Sequence, residues 1–99
     1  MLDGINDKNI DFLMKAVLTL ETEEECYNFF SDLCTIPELK SISQRLVVAK
    51  MLSEKQVYSD IVKETKASTA TISRVNRSLL YGNNGYSVAF ERLDKKDEK

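Results

Sequence analysis

Residues 58–80 read YSDIVKETKASTATISRVNRSLL and give the clearest indication of the fold. The first part of this stretch predicts a short helix that ends at Thr65, and the second part predicts a helix that begins after Ser68, a favourable N-cap residue. Only Lys66 and Ala67 separate the two helices. So short a connection makes the helices cross steeply, which is typical of a helix-turn-helix.

The second helix of this pair has two different faces. At 100° per residue, Ile72, Val75 and Leu79 form one apolar stripe. The opposite face has small residues near the helix start and two arginines, Arg74 and Arg77, further along. Small side chains let a helix approach base edges in the major groove, and arginine offers paired donors to guanine or phosphate. The predicted DNA-binding residues are Lys66, Ala67, Ser68, Thr69, Ala70, Thr71, Ser73, Arg74 and Arg77.

The same spacing also fits an ordinary helical hairpin whose polar face is solvated. In that case the protein is a helical protein–protein interaction module that uses its acidic first half and binds no DNA. An enzyme is disfavoured, because the chain has no histidine, no nucleophile paired with a base, and no phosphate loop.

Charge is distributed unevenly along the chain, although the net charge is only −2. Residues 1–39 contain nine acidic residues and two lysines, whereas residues 40–81 contain eight basic and three acidic residues. Residues 82–99 contain four of each. A polyanion responds to the local field within a Debye length of about 8 to 10 Å, so the basic middle segment permits DNA binding.

The residues before the helix pair predict three further helices. Residues 10–18 follow the spacing of an amphipathic helix. A second helix starts at Thr22, which forms a capping box with Glu25, and a third runs over about 37–52. The third helix is apolar around more than half of its circumference at 46–49, so we expect it to be buried on several sides.

After the pair, the segment 82–85, GNNG, tolerates positive φ and predicts a break. One more short amphipathic helix follows it, which brings the expected fold to six helices and no strand. We expect residues 1–93 to form one helical domain and residues 94–99 a charged tail that frays.

The two cysteines, Cys26 and Cys34, are predicted to lie on one helix, about 12 Å apart along its axis and too far for a disulfide. They are interpreted as small core hydrophobes. Two thiols without a histidine do not make a zinc site, so no metal is expected. No apolar run approaches the roughly 18 to 20 residues of a membrane span, and the first residues do not resemble a signal peptide, so a cytoplasmic protein is expected.

The segment 67–74, ASTATISR, extended by Asn76 and Ser78-Leu79, resembles the recognition-helix segment of the Trp repressor family. It most resembles the YerC/YecD-type Trp-repressor-like branch, and the likeness runs over about 10–80, with the turn at 83–86 also fitting that branch. The resemblance implies an all-α, interlaced homodimer that binds palindromic operators in double-stranded DNA as a repressor-like transcriptional regulator. The dimer surface is then expected in the aromatic N-terminal half, which includes Tyr27, Phe29 and Phe30.

The resemblance also implies an effector site. The family repressor holds tryptophan as corepressor near two arginines, with a glycine beside the indole. Arg74 matches one arginine, and the other falls on Arg45 after a one-residue shift or on Gln44 without it. Arg45, Arg74 and Ser78 are therefore the predicted effector-binding residues. Val75 stands at the glycine position, where its branched side chain is expected to crowd a tryptophan-like corepressor, so no cofactor is expected.

Two residues depart from the common helix-turn-helix pattern. Lys66 lies in the turn where glycine is common, and a non-glycine residue at positive φ costs about 1 kcal/mol. Val57 stands where a serine or threonine cap is expected, which leaves Ser59 as the substitute. Both departures predict a less stable motif.

Overall fold

Residues 7–97 are the part of the chain that the computed structural model describes, and within them the secondary structure consists of α-helices without any strand. This confirms the expected all-α class with six helices. The helices are α1 Lys8–Val17, α2 Glu23–Leu33, α3 Ile36–Ser53, α4 Tyr58–Thr65, α5 Thr69–Tyr81 and α6 Gly85–Asp97.

The chain separates into two compact units, Met1–Leu39 and Lys40–Lys99. The boundary coincides with the change of charge in the sequence, because nine of the sixteen acidic residues precede Lys40 and twelve of the fourteen basic residues lie from Lys40 onward. No helix within residues 7–97 is long and apolar enough to cross a membrane.

The first unit contains α1 and α2, and the start of α2 is well capped. The Thr22 hydroxyl accepts a hydrogen bond from the Glu25 amide at 3.1 Å, and the Glu25 carboxylate accepts one from the Glu21 amide at 2.9 Å. The predicted cap at Thr22 is therefore confirmed, although Glu25 reaches one residue further back than in a standard capping box.

A second capping box, absent from the sequence prediction, starts α3. The Thr35 hydroxyl accepts from the Glu38 amide at 3.2 Å, and the Glu38 carboxylate accepts from the Thr35 amide at 2.8 Å. The hydrogen bond from the Thr35 amide, and after it the one from the Thr35 side chain, lower the pKa of Glu38 below its ordinary value of 4.5. Pro37 is accordingly the second helical residue rather than the first.

None of the described side chains of the first unit, residues 7–39, is buried. Phe29 and Phe30 pack edge to face with ring centroids 5.3 Å apart, yet both remain half-exposed. Cys26 and Cys34 are free thiols and also half-exposed, and Cys34 is the C-cap of α2 rather than part of the helix. The expectation that both are core residues is therefore wrong for the single chain.

The second unit contains the buried core, which connects α3, α4, the turn, α5 and α6. Its buried residues are Val48, Ala49, Met51, Ile61, Ala67, Ile72, Val75 and Phe90. Helix α3 contributes only through its C-terminal half, whereas Leu46 and Val47 are exposed. The expected burial of α3 on several sides through 46–49 is therefore wrong within one chain.

Helix α6 is attached to this core through an aromatic and a charged contact. Phe90 stacks on Tyr86 with centroids 6.0 Å apart. The Lys50 ammonium lies 5.1 Å from the centroid of the Phe90 ring and 3.5 Å from the Asp94 carboxylate. Helix α6 continues to Asp97, and the last two residues of the expected charged tail lie outside the described range.

The break between α5 and α6 is confirmed, and its backbone explains the residues that form it. Asn84 has a left-handed backbone, with φ of 67°. A Cβ on Gly82 would collide with the carbonyl oxygen of Ser78, which already accepts the Gly82 amide at 2.8 Å. Glycine at position 82 therefore allows the chain to leave α5 closely against its last turn.

Candidate nucleic-acid interface

The turn between α4 and α5 is tightly hydrogen-bonded. Lys66 adopts the left-handed conformation expected for this position, with φ of 62° and ψ of 14°, and its amide donates to the Val62 carbonyl at 2.8 Å. The Thr65 hydroxyl donates to the Ile61 carbonyl at 2.7 Å and accepts the Ala67 amide at 3.1 Å. These bonds close the end of α4 and start the chain toward α5.

The start of α4 is less well capped. Val57 is its N-cap residue and forms no side-chain cap hydrogen bond, as its apolar side chain predicts. Ile61 is buried and Val62 and Thr65 are half-buried, so these residues form the inner face of α4.

Helix α5 begins at the expected cap. The Ser68 hydroxyl accepts a hydrogen bond from the Thr71 amide at 3.1 Å. The inner face of the helix is anchored by Ile72 and Val75, which belong to the buried core, while Leu79 is half-buried. The predicted apolar stripe is therefore confirmed, and it fixes which side of α5 faces away from the core.

The outer face of α5 combines small residues near the helix start with two arginines. At 1.5 Å per residue, Ala70 and Arg77 are about 10 Å apart along the axis, and a helix of about 10 to 12 Å diameter fits a major groove about 12 Å wide. Thr71 is half-buried. The exposed residues of the predicted set are Lys66, Ser68, Thr69, Ala70, Ser73, Arg74 and Arg77.

Ala67 differs from the rest of the predicted DNA-binding set. Its side chain is only 2% exposed and belongs to the core cluster. The side chain of Ala67 therefore packs in the core, and the contact of this residue with DNA stays a prediction.

The predicted effector residues lie on two helices. Arg45 is on α3, while Arg74 and Ser78 are one turn apart on α5, and all three side chains are exposed. Val75 lies between the two α5 residues in sequence, but its side chain is 2% exposed and packs in the core.

Gln44 contacts this motif in a way that the sequence prediction missed. Its side-chain amide on α3 donates to the carbonyl of Thr65, at the end of α4, over 3.0 Å. The signal in the sequence is the spacing of Gln44 four and seven residues before Val48 and Met51. That spacing puts an amide on the helix face that is otherwise buried.

A helical core that holds a tight turn and a capped, outward-facing second helix defines a helix-turn-helix protein. The sequence matches the family model described as Trp repressor protein over residues 8–94. The chain therefore belongs to the Trp repressor family, as the segment 67–74 indicated.

Relatives of the chain agree with this family. It is 52% identical over 92 residues to the uncharacterized protein YerC of Bacillus subtilis (strain 168). The matched region covers 93% of this chain and 88% of YerC. A crystal structure of a TrpR-like protein from Eubacterium eligens is 55% identical, with a TM-score of 0.86 and coverage of 90% of this chain and 92% of that one. A Staphylococcus aureus protein proposed to be a Trp repressor is 52% identical, with a TM-score of 0.85 and coverage of 90% and 89%. Membership indicates a DNA-binding regulator rather than an enzyme.

Proposed function

We propose that the protein is a sequence-specific DNA-binding transcriptional regulator of the repressor type, which inserts α5 into the major groove. The observation that carries the proposal is the outer face of α5, where exposed Ala70 and Ser73 precede exposed Arg74 and Arg77. Recognition helices contact base edges with such residues, and arginine pairs with guanine through two donors.

The residues around the helix start suit contacts with the DNA backbone. The exposed hydroxyls of Ser68 and Thr69 lie at the positive end of the α5 dipole, where phosphate is favoured. Lys66 adds an exposed cation in the turn. Thr71 is a weaker candidate, because its side chain is half-buried whereas those of Ser68 and Thr69 are exposed.

The charge of the motif supports the same function. Residues 66–81 contain three basic residues and no acidic one. Since the field near the surface, rather than the net charge of −2, governs the approach of a polyanion, this segment attracts DNA although the whole chain is acidic.

We further propose that the regulator is a homodimer on a palindromic operator. Within the first unit, Phe12, Leu18 and Tyr27 are each more than 65% exposed, and none of residues 7–39 is buried. A groove of about 340 Å³ in that unit is lined by Glu23, Cys26, Tyr27, Phe30 and Leu39. Exposed apolar surface of this kind favours association, and two-fold symmetry would present two copies of α5 about 34 Å apart, one DNA turn.

The test begins with selection of bound duplexes from a random pool, which reports binding, sequence preference and palindromy together. The affinity for the selected duplex is then measured for the double variant Arg74→Ala/Arg77→Ala. We expect a loss of about 1 to 3 kcal/mol for each arginine that reads a base. Arg92→Ala/Lys96→Ala, which removes the same charge from exposed positions of α6, is the matched control and should lose less.

Salt dependence separates this function from the alternative of a protein–protein interaction module. The logarithm of the binding constant should fall linearly with the logarithm of salt concentration, with a slope of about −0.9 for each phosphate contact. Unchanged affinity in the Arg74/Arg77 variant, or no salt-dependent binding to any duplex, would reject the proposal and favour the interaction module.

A further inference from the structure

The hydrogen bond between Gln44 and Thr65 joins residues 21 apart in sequence and ties α3 to the end of α4. Carbonyls in the last turn of a helix have no partner within the helix, so each needs a donor from elsewhere or from water. The Gln44 side chain supplies that donor to Thr65, and the bond is partly buried.

Thr65 is the point at which the turn is organised. Besides the Gln44 bond at its carbonyl, its hydroxyl donates to Ile61 and accepts the amide of Ala67. The next residue, Lys66, has the left-handed backbone that redirects the chain toward α5. The direction in which the chain enters α5 is therefore set within one residue of the atom that Gln44 contacts.

The backbone of Gln44 is anchored, so its side chain can fix the position of the Thr65 carbonyl. Val48 and Met51 follow it by four and seven residues on α3, and both are buried in the core. Residues at these spacings share a helix face, so the backbone that carries the Gln44 amide is anchored by the same core that anchors Ile72 and Val75 of α5.

We propose that Gln44 is a positioning residue for DNA reading, one that acts through the turn and without contacting DNA itself. By fixing the carbonyl of Thr65 it holds α5 in one orientation before DNA binds. The protein therefore loses less conformational entropy when it binds DNA. This inference rests on the proposed DNA-binding function and adds the means by which the reading helix is held.

The test uses Gln44→Met in the full chain, because methionine keeps the length and helix propensity of the side chain and removes the donor. With a net hydrogen-bond contribution of about 0.5 to 1.5 kcal/mol, affinity for the selected duplex should fall by a factor of about 2 to 13. The matched control is Gln56→Met, since the Gln56 amide is exposed and reaches only the neighbouring Glu54 carboxylate at 3.5 Å. That control should bind as the wild type does.

Amide hydrogen exchange without DNA provides the second measurement. In Gln44→Met the amides of Lys66 and Ala67, which are hydrogen-bonded within the turn, should exchange faster, while those of Ile72 and Val75 keep their wild-type rates. A residue that only stabilises the fold would instead raise exchange in the core and the turn together.

The outcomes are distinct. Faster exchange confined to the turn, together with weaker DNA binding, supports the inference. Wild-type affinity in Gln44→Met, or exchange that rises equally at Ile72 and Val75, overturns it while leaving the DNA-binding function standing. Absence of binding by the wild-type chain to any selected duplex rejects the proposed function itself and the inference with it.

Discussion

The Ser68 hydroxyl accepts the backbone amide of Thr71 at 3.1 Å and donates to the Thr71 hydroxyl, also at 3.1 Å. One exposed side chain thus closes the N-terminal end of α5 and lies where DNA phosphate is expected. Because loss of an N-cap serine leaves a helix amide without its partner, Ser68→Ala should lower the free energy of unfolding by about 1 kcal/mol. Urea denaturation measures this change.

Ser68→Asp separates the cap from the DNA contact. Aspartate caps a helix as well as serine does, and its negative charge is stabilised by the positive end of the helix dipole. This variant should therefore retain wild-type stability. Its negative charge would face phosphate, so its affinity for DNA should fall, and fall most at low salt. Wild-type DNA affinity in Ser68→Asp would show that the start of α5 does not approach the DNA backbone.

The helix pair of the motif was predictable because its signals are local. Ser68 as cap, the stripe of Ile72 and Val75, and a two-residue connection define the ends and inner face of α5, and each depends only on neighbouring residues. The second capping box is equally local, as a Thr-x-x-Glu pattern from Thr35 to Glu38, but Pro37 between them predicts a helix that begins at the proline instead.

Other features depend on contacts that spacing does not determine. The apolar circumference of α3 predicts burial, but Leu46 and Val47 are exposed because burial requires a neighbour on each side and one chain supplies fewer. Local spacing puts Gln44 on the buried face of α3, but its bond to Thr65 also requires two helices to meet, and no local pattern encodes that meeting. Ala67 was assigned to the DNA surface by its position in the motif, whereas its side-chain direction follows from the backbone angles at the preceding residue.

L-Tryptophan should not act as a corepressor of this protein. The side chain of Val75 is branched and packs in the core at 2% exposure, so it fills space at the position where the family resemblance predicts a glycine beside the indole. Isothermal titration should therefore show no binding at micromolar L-tryptophan, and DNA affinity should be the same with and without it. Saturable micromolar binding would contradict this prediction.

The Thr35–Glu38 capping box should make stability depend on acid pH. The pKa of Glu38 in the folded chain lies below 4.5, chiefly because its carboxylate accepts the Thr35 amide and secondly the Thr35 hydroxyl contact. The ionised form therefore favours folding, and this contribution is present above the unfolded pKa and is lost as pH falls through the lower folded pKa. In Glu38→Gln that part of the pH dependence should disappear from denaturation curves.

An NMR titration of the Glu38 carboxyl checks the cause directly. Its midpoint should lie below 4.5 in the wild type. Thr35→Ala removes the hydroxyl but keeps the backbone amide, which is the larger cause, so the midpoint should return only part of the way. A wild-type midpoint at 4.5 or above would show that the box is not formed in solution.

Lys66 and Lys55 are two lysines with a left-handed backbone, so replacing each by glycine measures the free-energy cost of that conformation. Their φ angles are 62° and 66°, and both side chains are exposed. A non-glycine residue in this region costs about 1 to 2 kcal/mol, partly offset by the extra freedom of glycine in the unfolded chain. Lys66→Gly and Lys55→Gly should therefore each raise the free energy of unfolding by about 0.5 to 1 kcal/mol in urea denaturation.

The two variants should differ in their DNA binding. Lys66 lies in the turn that precedes α5, whereas Lys55 follows α3 and precedes α4. If Lys66 neutralises a phosphate, its loss should reduce the slope of log affinity against log salt by about 1, while Lys55→Gly leaves that slope unchanged. Lys66→Gly would then be more stable than the wild type and yet bind DNA more weakly than the wild type at low salt. Equal slopes in both variants would place the turn away from the DNA backbone, because stability alone does not alter the number of counterions released.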